Sequence, residues 1–255
     1  IYWILCYLHL VHCMMKKRTV LITGGAKRVG KEIALSLANK DTNLIIHYNK
    51  SLLEAKKLKL LLEERGSKCA LIKSNLSNQK DLKKIINNAK KFFGTINCLI
   101  NNASLFLNDN VESFSDKLWN DHLNINLLAP VRLSQEFNKQ LPKRSQGHII
   151  NILDQNIFNP DTSFFSYNIS KSALYTATII LAKSFAPNIR VNAIGPGPTI
   201  KNIHQSKKHF EKSVKSTPLK IGSPPSEIVK SVIFLLESKA ITGQFITVDG
   251  GEHLK

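Results

Sequence analysis

The chain has 255 residues, 43% of them apolar, which is enough for one sizeable core and calls for no second domain. A net charge of +18 and a pI near 9.8 would suit a nucleic-acid or membrane-surface ligand, but the 36 Lys and Arg are spread over many segments, so neither partner is expected. Cys6, Cys13, Cys69 and Cys98 have neither metal-ligand spacing nor a disulfide pattern, so no metal is expected and a reducing, cytoplasmic setting fits them.

Residues 1–13 are apolar apart from His9 and His12, and the basic cluster Lys16-Lys17-Arg18 follows them. The run is short of the roughly 20 residues of a membrane-spanning helix. Its positive charge lies on the wrong side for a secretory signal. Residues 1–15 are therefore read as an upstream extension or misassigned start before one domain over 16–255, a short membrane-associating anchor being the alternative.

From Arg18 onward, strand-like apolar runs alternate with helical patterns. Strands are predicted at 19–23, 43–47, 69–73, 96–101, 147–154, 190–194 and 244–248. Helices are predicted at 29–40, 52–65, 79–93 and 115–140, then through Tyr167 and Lys171 to about 185, and at 225–237. Leu53, Leu58, Leu61 and Leu62 supply the apolar positions of the second helix, and Pro130 should kink or split the fourth. A basic stretch at 201–218 reads as a loop. The alternation implies an α/β fold: a single Rossmann-type, doubly wound parallel sheet of seven strands with helices on both faces, binding ligands at its carboxyl edge.

Three places carry chemistry. Thr23-Gly24-Gly25-Ala26-Lys27-Arg28-Val29-Gly30 joins the first strand to its helix, where glycines allow close backbone approach and a helix amino terminus presents free N–H groups to a phosphate. The second strand ends in His47-Tyr48-Asn49-Lys50-Ser51, with no acid to bind a ribose 2'-hydroxyl. His47, Lys50 and Ser51, with Lys27 and Arg28 nearby, suit a 2'-phosphate instead and point to NADPH, the alternative being a plain basic surface loop. Third, Tyr167 and Lys171 are spaced i, i+4 on a helix, so phenol and ammonium can face one cleft. The ammonium should draw the phenol pKa down from about 10 and make it an acid catalyst.

In this order the motifs resemble the short-chain dehydrogenase/reductase family, whose catalytic Ser ends a strand 13 residues before the Tyr. Here that position is Asp154, and an ionised carboxylate accepts hydrogen bonds but cannot donate them. The same exchange, the Lys-Arg of the glycine turn and the His-Tyr run resemble the pteridine reductases and the bacterial dihydromonapterin reductases. The resemblance implies Asn126, Asp154, Tyr167 and Lys171 as catalytic residues. It implies a cofactor held by Gly24, Lys27, Arg28, Val29, Gly30, Tyr48, Asn49, Asn75 and Leu76 at its adenosine and phosphate end. Asn102, Ala103, Ser104, Tyr167, Lys171, Pro196 and Gly197 would line the remainder, the last two facing the nicotinamide carboxamide.

It further implies that Phe106, Asp154 and Tyr167 hold a reduced pterin, that the 201–218 loop with His204 to Phe210 closes over it, and that the enzyme is a homotetramer or homodimer. The Tyr167 helix would pair across a twofold axis through Leu174, Ala177, Thr178, Leu181 and Ala182, though burial under the same chain's sheet would give the same pattern. Two rivals stay open: an NADPH-dependent carbonyl reductase acting on 3-oxoacyl thioesters, sugars or steroids, and a non-catalytic NADPH-binding sensor.

Overall fold

The computed structural model describes residues 17–201 and 206–255; the expectations for residues 1–15, His204 and Gln205 lie outside them. β1 (Arg18–Ile22), β2 (Thr42–Tyr48), β3 (Lys68–Lys73), β4 (Cys98–Asn101), β5 (Gly147–Ile152), β6 (Ile189–Pro196) and β7 (Phe245–Val248) form one seven-stranded parallel sheet in the order 3-2-1-4-5-6-7. Chain order reverses between β1 and β4, which opens a crevice at their carboxyl ends.

Side chains alternate across each strand, so Val20 and Ile22 of β1 join one core while Leu21 joins the other. On the first face pack α1 (Arg28–Leu37), α2 (Leu52–Glu64) and α8 (Pro225–Glu237), through Ile33, Leu58 and Val232. On the second pack α3 (Gln79–Phe93), α5 (Ala129–Gln140) and α6 (Phe165–Phe185), through Ile86, Phe137 and Ala182. α3 shows why such a segment folds locally. Asn78 caps its amino end by accepting from the Lys80 N–H, Leu82, Ile85, Ile86 and Ala89 form the buried stripe, and Gly94 ends it at φ 76°.

Four expectations change. The predicted 115–140 helix is α4 (Asp116–His122), a π-helical turn over Leu123–Leu128 and then α5. Pro130 has no N–H for the Asn126 carbonyl, and the Ala129 N–H reaches back five residues to the Asn124 carbonyl instead. The proline therefore acts upstream, as a widened turn around Asn126, and itself sits in the opening turn of α5. In α2 the buried stripe is Ala55, Leu58 and Leu62, while Leu53 and Leu61 face solvent.

The predicted basic loop contains α7 (Lys207–Ser216). Leu174, Thr178 and Ala182 of α6 lie under the chain's own sheet, so the apolar pattern there is core and not a free pairing face. Cys69 and Cys98 are buried thiols pushed up to about 12 by burial. Among the described residues no helix is long and apolar enough to cross a membrane, and no cluster of His, Cys, Asp and Glu could hold a metal ion.

Candidate active site

A cavity of about 840 Å³ lies over the crevice between β1 and β4 and runs to β5, α6 and the β6 end. All of the expected cofactor and substrate residues except Gly30 line it, Gly30 lying behind them in the glycine turn. Its floor is the glycine turn. A Cβ at Gly24 would come within 2.9 Å of the Ala103 Cα, and one at Gly30 within 2.6 Å of the Asn102 amide nitrogen and 2.7 Å of the Gly24 carbonyl. Only glycine allows this approach, and Gly24 also takes φ 59°.

Asn102 and Ala103 close the turn from the β4 side: the Asn102 amide donates to the Thr23 and Gly24 carbonyls, and both backbone N–H groups donate to the Thr23 hydroxyl. Lys27 caps α1 with no side-chain bond, leaving the first-turn N–H groups of the helix for a ligand. This cradle fits a dinucleotide diphosphate.

Three charged or polar residues behave differently from expectation. His47 is buried and neutral, its Nδ1 accepting the Gly24 N–H at 3.1 Å and its Nε2 donating to the Ser74 carbonyl at 3.2 Å. Desolvation lowers its pKa to about 4, so it braces the turn and cannot be a cation for a phosphate. Lys27 pairs with Glu54 at 2.6 Å. Arg28 takes φ 52°, a left-handed conformation natural to glycine, and its guanidinium donates to the Ile200 and Lys201 carbonyls. Lys50 and Ser51 remain at the rim where a 2'-phosphate would sit, beside Tyr48 and Asn49. Asn75 accepts the Ser77 N–H and hydroxyl on Oδ1, which leaves its amide nitrogen as the group for an adenine edge.

At the other end, β5 delivers Asp154 just past its last residue, and α6 delivers Tyr167 and Lys171 from its first two turns. The Tyr167 hydroxyl donates to Asp154 Oδ2 at 2.6 Å, and Asp154 Oδ1 accepts the Asn156 N–H at 3.0 Å. The Lys171 ammonium donates to the Ile152 carbonyl at 2.8 Å and lies 5.7 Å from the centre of the Tyr167 ring. Burial raises the Asp154 pKa against the pull of Tyr167, the Asn156 N–H and Lys171. Burial lowers Lys171 to about 8, with Asp154 opposing.

Tyr167 is raised well above 10, first by burial and then by the Asp154 charge. The expected drift of the phenol towards neutrality is thus reversed: with a carboxylate where the family has a hydroxyl, the phenol keeps its proton. The trio is one phenol proton donated to a buried carboxylate, beside one buried cation.

Asn126 lies in the π-helical turn but is fully engaged. Its amide donates to the Leu105 carbonyl and the Ser170 hydroxyl, and its oxygen accepts from the Leu105 N–H and the Ser104 hydroxyl. It therefore fixes the segment leading to Phe106. The Phe106 ring stacks on Phe164 at 4.3 Å and meets Tyr167 edge-on at 4.7 Å, while lining the cavity. Pro196 and Gly197 border the same end, and a Cβ on Gly197 would come within 2.8 Å of Asp249.

Lining residues that sequence reasoning missed include Gln155, Thr199, Ser213 and Glu252. Glu252 is a second acid at this end, its pKa raised by burial and by the Asp154 and Asp249 charges. Phe210, placed in a loop by the sequence, lines the cavity from α7, which begins where Ser206 accepts the His209 N–H. A Ser followed by the repeat Phe210, Val214 was the available signal.

A family model described as enoyl-(acyl carrier protein) reductase matches residues 24–253. Among solved structures, the chain is similar to the FolM alternative dihydrofolate reductase 1 of Brucella suis in complex with NADP, at 38% identity over 95% of this chain and 97% of that one, with a TM-score of 0.91. The Brucella canis protein of the same name, also with NADP, gives 37% identity over 95% and 96%, with a TM-score of 0.88. Among curated proteins, the 3-oxoacyl-[acyl-carrier-protein] reductase FabG of Staphylococcus epidermidis is 27% identical over 93% of this chain and 99% of its own. Glucose 1-dehydrogenase 2 of Bacillus subtilis is 25% identical over 93% and 95%. With a family model matched over residues 24–253 and solved relatives 37–38% identical over 95% of it, the chain belongs to the short-chain dehydrogenase/reductase family.

Proposed function

We propose that the protein is an NADPH-dependent reductase that converts a 7,8-dihydropterin to the tetrahydro form. The observation that carries this reading is the 2.6 Å bond between Asp154 and Tyr167 where the family pattern has a neutral hydroxyl. A carbonyl substrate calls for a donor at that position, whereas a ring edge rich in N–H groups calls for an acceptor. The identity to the two Brucella proteins named as alternative dihydrofolate reductases supports the same reading, as does the exclusion of acid from the end of β2.

The residues divide the work. Gly24, Val29, Gly30 and the α1 amino terminus would hold the diphosphate, Lys50 and Ser51 the 2'-phosphate, Asn75 and Leu76 the adenine, and Pro196 and Gly197 the nicotinamide end. NADPH bound there would supply a hydride to C6 of the substrate. Phe106 would cover the opposite ring face, a contact worth about 0.5 to 1.5 kcal/mol beyond burial. N5 of the dihydropterin must gain a proton as C6 gains the hydride, and Tyr167 holds that proton on its hydroxyl. Asp154 would receive an N–H of the ring, and Lys171 would balance the charge left when the phenol gives up its proton.

A second reading has its own support. Because burial raises the Asp154 pKa, a protonated carboxyl could donate to a carbonyl oxygen as the family Ser does, and FabG is among the relatives. NADPH oxidation measured with dihydrobiopterin or dihydromonapterin beside an acetoacetyl thioester separates the two. Turnover of the pterins supports the proposal, and turnover of the thioester alone overturns it.

A further inference from the structure

Phe106 sits on a strap, residues 104–109, that has no helix or strand of its own. A ring on such a segment needs other groups to define its position. Asn126 fixes the strap at Leu105, and a second set of groups fixes it from Leu107 to Asp109.

The Leu107 N–H donates to His122 Nε2 at 3.4 Å, and His122 Nδ1 lies 2.6 Å from the Ser166 hydroxyl oxygen. Ser166 is also bonded to Asp109, its hydroxyl to Oδ2 and its N–H to Oδ1 at 3.1 Å. A carboxylate only accepts, so the Ser166 hydroxyl donates to Asp109. Its oxygen then accepts from His122 Nδ1–H, and the neutral ring offers Nε2 to Leu107. One direction of donation satisfies every atom, and the relay begins and ends on the strap.

The same strap supplies the first bonds of the catalytic helix. The Phe164 N–H donates to the Asn108 side chain and the Phe165 N–H to the Asp109 carbonyl. α6 has no side-chain cap from Phe164, so these bonds and the Asp109 carboxylate do that work. His122 and Ser166 are fully buried, and Asp109 is nearly so.

We propose that Asp109, Ser166 and His122 form a latch that sets the Phe106 ring against Tyr167 and so places the flat substrate. They are positioning residues: none lines the cavity, and they act through Phe106. The inference rests on the reading of the site as one that stacks a reduced pterin.

The test is a double-mutant cycle on S166A and F106A, with thermal melting and NADPH affinity measured on each variant. S166A should raise KM for the dihydropterin about tenfold at unchanged NADPH affinity, and should add little to F106A. H122N, which keeps a donor near the Nδ1 position, should retain more of the wild-type KM than H122L. An S166A effect of equal size in both backgrounds, or one shared by NADPH affinity, would show a plain helix cap and overturn the proposal.

Amide exchange provides a reading free of substrate. The Leu107 amide should exchange faster in S166A while amides of β5 stay as they are, and an unchanged Leu107 amide contradicts the latch. If the wild type reduces no dihydropterin, the assignment of substrate fails, and the exchange data still decide the latch.

Discussion

The two ends of the cavity are built in different ways. At the β1 and β4 end the work is done by backbone and neutral groups: Gly24, Gly30, unbonded N–H groups of α1, the Asn102 amide and an uncharged His47. At the β5 and α6 end it is done by buried ionisable groups, Asp154, Tyr167 and Lys171, each displaced from its ordinary titration range by burial, with the Asp154 charge adding to the shift of Tyr167 and opposing that of Lys171. A cradle made of shape is indifferent to pH over a wide range. A proton-transfer site is defined by it.

The largest effect that would sharpen this contrast is Tyr167→Phe. Removing the phenol proton should lower turnover by about 100- to 10,000-fold, while NADPH affinity, read by fluorescence titration, stays nearly unchanged. A parallel loss of affinity would erase the distinction between the ends.

The next effect concerns the brace of the cradle. The unfolded His47 imidazole titrates near 6.5 and the folded one at about 4, so the unfolded chain binds more protons between these values. Stability is therefore unaffected above pH 6.5 on this account and is lost as the pH falls through that window, by about 3 kcal/mol in all. His122 and His148, also lowered by burial, add to the acid loss, so the comparison is with His47→Gln. Denaturant titrations at pH 7 and pH 4.5 should show a smaller pH dependence in the variant. Equal slopes would mean that His47 is not held neutral.

The smallest effect is on Lys171. A base lowered to about 8 is charged below that pH and neutral above it. kcat/KM for NADPH should thus fall about tenfold per unit above pH 8, and a flat profile to pH 10 would contradict the lowered value.

The same division explains what the sequence made legible. The cradle could be read because backbone approach demands glycine and glycine is visible in a sequence. Gln79–Phe93, with its apolar stripe and Gly94 end, and Pro225–Glu237, with a proline opening it, were read to the residue. Tyr167 and Lys171 were visible too, from one i, i+4 spacing, and Asp154 through the family resemblance that puts a Ser 13 residues before the Tyr.

The signs of their interactions were not visible. Whether the phenol feels the ammonium or the carboxylate more depends on a 2.6 Å contact that no spacing encodes. His47 and Lys27 looked like phosphate ligands because a sequence gives charge without partners, here the Gly24 N–H, the Ser74 carbonyl and Glu54. Pro130 announced a break, but the π-helical turn it leaves at Asn126 needed the bond from Ala129 to Asn124. α7 was hidden by its Lys content, because a helix with no buried residue carries little apolar pattern.

The central claim is that a carboxylate at position 154 selects a nitrogen-rich ring. Asp154→Ser tests it most directly, with dihydropterin and acetoacetyl thioester turnover measured side by side at saturating NADPH. The account predicts that dihydropterin reduction collapses by about 100-fold or more while NADPH binding persists. Dihydropterin reduction at the full wild-type rate in that variant would contradict it.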